Sequence, residues 1–125
     1  MVHKYTQEWI KKAEEDYSAV NLLSRQKKKF LPDIICFHGH QCIEKYLKAL
    51  LTKHGQKIPK THDLIFLIDQ LKKIDSDLEF IRDLLRELNR YAVEFRYPGE
   101  GATSFEAKRI IKQVQEIRKI VLIKL

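Results

Sequence analysis

Two cysteines, one tryptophan and no long apolar run are the first features of this 125-residue chain, and each scarcity excludes something. Cys36 and Cys42 lie six residues apart on one predicted helix, a rise of about 9 Å, too far for a disulfide between them. Paired with His40 and His38 at i,i+4, they offer at most half of a zinc site. No further cysteine exists, and the two pairs face different directions, so neither a metal nor any other cofactor is expected. No apolar stretch approaches the ~18 residues that a membrane span needs, and the start, MVHKYTQEW, has no apolar signal core. A cytoplasmic protein without membrane contact is the expectation. Strand-like alternation, internal repeats and low-complexity segments are missing. So are a glycine-rich phosphate loop, a nucleophile elbow and a close pair of carboxylates without a basic neighbour, which argues against the commonest catalytic designs.

What is present is charge and helical periodicity. Charged residues make up 33% of the chain and apolar ones 44%, the balance of a globular protein with an unusually charged surface. The whole of 1–125 reads as one domain, large enough to bury a core without disulfides. Its 24 basic and 17 acidic residues give a net charge of +7. That suits an anionic partner such as a nucleotide or RNA, and equally serves solubility alone.

The chain is organised around a helix beginning near Pro32 and ending at Gly55. Ile35, Cys36, Gly39, Ile43, Tyr46, Leu47, Leu50 and Leu51 share one broad sector of it, while His38, Gln41, Lys45 and Lys48 gather opposite, toward ligand or solvent. Gly39 in the apolar sector costs about 1 kcal/mol relative to alanine, which is explained by close approach of another helix. His40 and Glu44, one turn apart, read as a buried hydrogen-bonded pair. The competing role, a general base poised by a carboxylate, needs a nucleophile or cleft that the sequence does not identify.

Around this centre, a first helix runs from a cap at Thr6 to about Ser24, burying Trp9, Ile10, Ala13, Tyr17 and Val20. The basic turn Arg25, Lys27, Lys28 and Lys29 follows, a phosphate dock or a solvated loop. Gly55 is a natural left-handed stop. Thr61 is expected to cap a short helix with His62 and Asp63 in its first turn, where His62 either meets an anion or is structural. Ser76 to Glu79 reads as a capping box opening a longer helix that buries Phe80, Ile81, Leu84, Leu85, Leu88, Tyr91, Ala92 and Phe95. Its outer arginines, Arg82, Arg86 and Arg90, alternate with acids and largely neutralise themselves. A second box at Thr103 and Glu106 opens a last helix burying Ile110, Ile111, Val114, Ile117, Val121 and Leu125. The fold class is therefore all-α, an up-and-down bundle of four to five helices.

Four segments, WIKKAEEDYSAVNLL at 9–23, HQCIEKYLKALL at 40–51, THDL at 61–64 and YAVEFRYPGE at 91–100, resemble the small bacterial and archaeal HEPN domains. The resemblance covers nearly the whole chain. It implies a homodimer and a separate minimal nucleotidyltransferase as partner, in a toxin-antitoxin-like pair. Many HEPN domains are metal-independent ribonucleases whose arginine is followed four to six residues later by histidine. Here the last histidine is His62, and every arginine except Arg25 comes after it, so that pair is absent. A nucleotide- or RNA-binding module is thus expected, with a divergent ribonuclease as the alternative. The motif positions Gln41, Lys45, Lys48, His62, Arg96 and Tyr97, with Pro98, form the implied anion site, in which Lys45 and Lys48 face Arg96 and Tyr97 across a groove.

Overall fold

The computed structural model describes residues 2–92 and 98–125. Five α-helices, α1 (Val2–Ser24), α2 (Pro32–Lys53), α3 (Leu64–Leu71), α4 (Arg82–Leu88) and α5 (Ser104–Lys124), account for most of them, with 3₁₀ turns at Ser76–Ile81 and Asn89–Tyr91. No strand occurs among the described residues. The chain is an all-α helical bundle. No helix among the described residues is long and apolar enough to cross a membrane.

The apolar sector read from the sequence makes α2 the axis. Ile35, Cys36, Ile43, Tyr46 and Leu47 are each fully buried, and α1, α3, α4 and α5 all pack against this helix. The hydroxyls of Thr6 and Thr52 meet at 2.9 Å, and Asp16 reaches the middle of α2, so α1 runs antiparallel to α2. α5 runs parallel to it, since Gly39 lies against Ile110 and Val114 while Tyr46 bonds Arg118. A Cβ on Gly39 would stand 3.0 Å from a Val114 methyl and 3.3 Å from an Ile110 methyl. The helix that approaches Gly39 therefore belongs to the same chain, and this glycine gives no support to dimerisation.

Helix starts follow local chemistry, in three places differently from expectation. α1 begins at Val2, four residues before Thr6, so Thr6 lies inside the helix, where its hydroxyl meets Thr52 across the helix pair. α3 begins after His62 and Asp63. Asp63 is the cap, accepting from the amides of Ile65 and Phe66, and Thr61 supports it by accepting the Asp63 N–H at 3.0 Å. The box at Ser76 does not form. Asp75 takes the capping role through the Asp77 N–H, while Glu79 is held by Arg82 at 2.6 Å and cannot reach back. A 3₁₀ turn results, and its three-residue period buries Leu78 and Ile81 while leaving Phe80 67% exposed, against the expected burial.

Two other ends agree with expectation. The Thr103 and Glu106 box is complete, with both reciprocal bonds at 3.0 Å. Gly55 has φ +70° and closes α2 with bonds from its own N–H to the Thr52 carbonyl and from the Gln56 N–H to the Leu51 carbonyl. The fourth helix, expected to run on to Tyr97, Pro98 and Gly99, instead ends at Leu88 and tightens into the 3₁₀ turn Asn89–Tyr91; Phe95, Arg96 and Tyr97 lie outside the described residues.

Candidate functional site

Two buried carboxylates hold the polar sector of α2. Asp16 on α1, 8% exposed, accepts His38 Nδ1 at 2.9 Å on one oxygen and Lys45 Nζ at 2.5 Å on the other. His38 and Lys45 stand two turns apart on one stripe of α2, so one acid between them reaches both. Their side chains retain 31% and 23% exposure. The sector expected to face ligand or solvent is therefore partly covered by α1.

Glu44 is the second hub, 3% exposed. One oxygen accepts Lys48 Nζ at 2.9 Å and the other His62 Nδ1 at 2.8 Å. Lys48 is itself buried and lies 5.5 Å from the centre of the Trp9 ring, so its charge is met by a carboxylate on one side and an aromatic face on the other. The His62 side chain stays 69% exposed. Glu44 thus orients one edge of an imidazole whose remainder is in solvent.

His40 completes the cluster from the core side and is fully buried. Its Nε2 lies 3.4 Å from Asn89 Oδ1. The Asn89 amide is fixed by two other bonds, Oδ1 accepting the Leu64 N–H at 2.9 Å and Nδ2 donating to Asp63 at 3.0 Å. A neutral His40 therefore carries its proton on Nε2. Burial outweighs the nearby Glu44 charge and pushes the His40 pKa below its ordinary 6.5, which favours this neutral form. Nδ1 is then a bare acceptor with no hydrogen-bond partner among the described residues, and it stands 3.9 Å from Glu44. The hydrogen bond expected between His40 and Glu44 is not made, because both carboxylate oxygens are taken by Lys48 and His62 and an acceptor cannot bond a carboxylate.

Of the expected site residues, Lys45, Lys48 and His62 are brought to this pair of carboxylates. Gln41 is half-buried on the same helix. Arg96 and Tyr97 lie outside the described residues, and Pro98 is exposed. Sequence reading missed Asp16 and Asn89. Asp16 had a visible signal, since it lies three residues after Ala13 and four before Val20, an acid within the buried stripe of α1. Asn89 had none, for its role depends on where α3 begins.

The family model described as HEPN domain matches residues 6–124. The chain belongs to the HEPN domain family. "Putative toxin MJ1304" of Methanocaldococcus jannaschii is 29% identical to this HEPN protein over 135 aligned positions, which span 94% of this chain and 86% of that one. TT1696 from Thermus thermophilus, known as a crystal structure, superposes with a TM-score of 0.79 at 24% identity, over 96% of this chain and 98% of that one. The second likeness shows a shared fold alone.

Proposed function

We propose that this HEPN protein is a nucleotide- or RNA-binding module that acts as the toxin-type member of a pair with a separate minimal nucleotidyltransferase. The observation carrying this reading is the convergence of Lys45, Lys48 and His62 on one flank of the central helix. With His38, four bases there share two carboxylates; His38, Lys45 and His62 stay partly exposed and have donors left for a phosphate, while Lys48 is held inward by Glu44. Arg96 and Tyr97 are assigned to the same site, Arg96 for a two-donor grip and Tyr97 for stacking. The likeness to an archaeal protein named as a toxin supports the toxin role. Titration calorimetry with ATP, GTP and an RNA oligomer at two salt concentrations tests it. Binding should weaken as salt rises, and Lys45→Ala and Arg96→Ala should each weaken it further. Unchanged affinity in both variants removes this site, and no binding to any of the three leaves the protein-partner role, read by pull-down from the native host.

One observation favours the second reading, a divergent metal-independent ribonuclease. A carboxylate on Nδ1 with the rest of the ring in solvent is how a general-base histidine is commonly held. Without the family's arginine-histidine spacing, no cleavage above background is expected. Cleavage of structured or single-stranded RNA that disappears in His62→Ala would establish the enzyme.

We also propose a homodimer. Phe80 and Ile123, 67% and 84% exposed, line an open groove of about 700 Å³, and apolar surface of this kind marks contact sites. A monomeric mass by light scattering across micromolar concentrations would exclude it.

A further inference from the structure

A cleft of about 420 Å³ opens between the end of α2 and the start of α3, walled by the connector 56–60. None of its lining residues belongs to the cluster around Asp16 and Glu44. Its floor is hydrocarbon. Leu51 is buried, Ile58 packs against the core beside it, and Phe66 forms one side. Leu64, Leu67, Ile68 and Leu71 bring α3 fully into the core, whereas Phe66 on the same helix stays 44% exposed. Its ring is therefore surplus to the core, and it lines the opening.

The rim carries charge of one sign. Lys57 and Lys60 are exposed, neither meets a carboxylate among the described residues, and no acid lines the cleft. The two acids between Lys57 and Gln70 are committed elsewhere. Asp63 accepts the Ile65 and Phe66 amides and the Asn89 side-chain N–H, and Asp69 holds Arg82 at 2.6 Å. The carbonyls that close α2 are occupied as well, since the amides of His54, Gly55 and Gln56 bond those of Leu50, Thr52 and Leu51. Neither a side chain nor the helix end therefore cancels the two ammonium groups. The connector is also held at its far end, where the Thr61 N–H bonds the Pro59 carbonyl at 3.0 Å, and the ring of Pro59 removes one backbone freedom. A ligand meets a shape that folding has already ordered.

We infer that this cleft binds a small amphiphilic carboxylate, an apolar body ending in one anionic head, with a medium-chain fatty acid as the representative ligand. Its volume lies in the range of small-molecule sites, roughly 300–1,000 Å³. The hydrocarbon chain would lie over Leu51 and Ile58 against the Phe66 ring, where leaving water is what stabilises it. The carboxylate would sit between Lys57 and Lys60, which act as point charges, and Gln70 on the α3 side adds a neutral donor. A neutral apolar molecule would leave the rim unused, and a small anion would leave the floor unused. This inference is separate from the site at Lys45, Lys48 and His62, and failure of either leaves the other standing.

Calorimetry on the full chain tests it with hexanoate, octanoate and decanoate, each below its micelle concentration, alongside octanol and acetate. The three acids should tighten in that order, by up to about fourfold for each methylene buried. Octanol and acetate should each bind about tenfold or more weakly than octanoate. Replacing both rim charges, Lys57→Gln with Lys60→Gln, should weaken octanoate about tenfold and leave octanol unchanged, a difference that a merely structural role of the lysines would not produce. Phe66→Ala should weaken octanoate and octanol alike. The charge-matched pair Lys108→Gln with Lys112→Gln, at exposed positions of α5, should change neither. Amide shifts on adding decanoate should fall at 56–60 and 66–70. Absent decanoate binding, affinity without chain-length dependence, or equal weakening by the two lysine pairs overturns the inference. Octanol binding as tightly as octanoate overturns the carboxylate assignment, and an apolar tetrapeptide with a free C-terminal carboxylate binding more tightly than decanoate overturns the fatty-acid assignment.

Discussion

His62 and Glu44 are joined at 2.8 Å with very unequal solvent exposure, 69% for the imidazole and 4% for the carboxylate side chain. The carboxylate is kept in the interior by Lys48, 8% exposed, on its other oxygen, so the inner pair is structural and the outer bond is an attachment to it. Glu44→Ala should cost about 3–5 kcal/mol, the scale for stranding a buried charge. His62→Ala, a surface change, should stay within about 0.5 kcal/mol. Urea unfolding of both variants measures the contrast, and equal losses would contradict it.

His40 should give stability a pH dependence of its own. Burial holds its pKa below 6.5 in the fold, so the unfolded chain binds a proton that the folded chain refuses. Stability is then fully present above about pH 6.5 and falls as pH drops below it. Asp69, Asp75, Glu79 and Glu106 are also held below their ordinary values of 3.8 to 4.5, the first three chiefly by Arg82 or Lys124 and Glu106 by the Thr103 amide. Their contribution is lost only in that lower range. His40→Gln should flatten the slope between pH 7 and 5 in urea titrations (about the window set by an ordinary histidine) and leave the loss below it.

Gly39 is where α5 comes closest to α2. Gly39→Leu should destabilise by about 1–3 kcal/mol through overpacking against Val114 and Ile110. Val114→Ala in the same chain should recover part of that loss. Thermal denaturation of the single and double variants checks the coupling.

Arg118 ties three helices together. It donates to Tyr46 at 2.9 Å and Glu14 at 2.8 Å, and its guanidinium carbon lies 4.1 Å from the centre of the Tyr17 ring. A lysine cannot reproduce a planar group making all three contacts. Arg118→Lys should therefore cost about 1–2 kcal/mol, seen as a lowered melting temperature without change in helical content by circular dichroism.

The apolar sector of α2 and the stripes of α1 and α5 were legible in the sequence because a 3.6-residue period exposes them directly. Gly55 and the Thr103 box were legible because a single residue type decides each. Ser76 misled because Asp75, one place earlier, competes for the same amides, and no local pattern ranks the two. The candidate site was half legible. Lys45, Lys48 and His62 could be named, yet the acids of Lys45 and His62 could not be paired, since Asp16 meets Lys45 across 29 positions and Glu44 meets His62 across 18.

Each of the two buried acids serves two bases, and this sharing sets how the protein tolerates mutation. Loss of either histidine leaves its acid still paired with a lysine, whereas loss of the acid strands a half-buried Lys45 or a buried Lys48. In a saturation library, positions 16 and 44 should accept almost nothing, while 38 and 62 accept many residues as long as 45 and 48 stay basic. Compensation should come in reversed pairs, an acid at 45 tolerated only with a base at 16. The helix pair thus inherits as a linked unit, its variation confined to coordinated exchanges between α1 and α2.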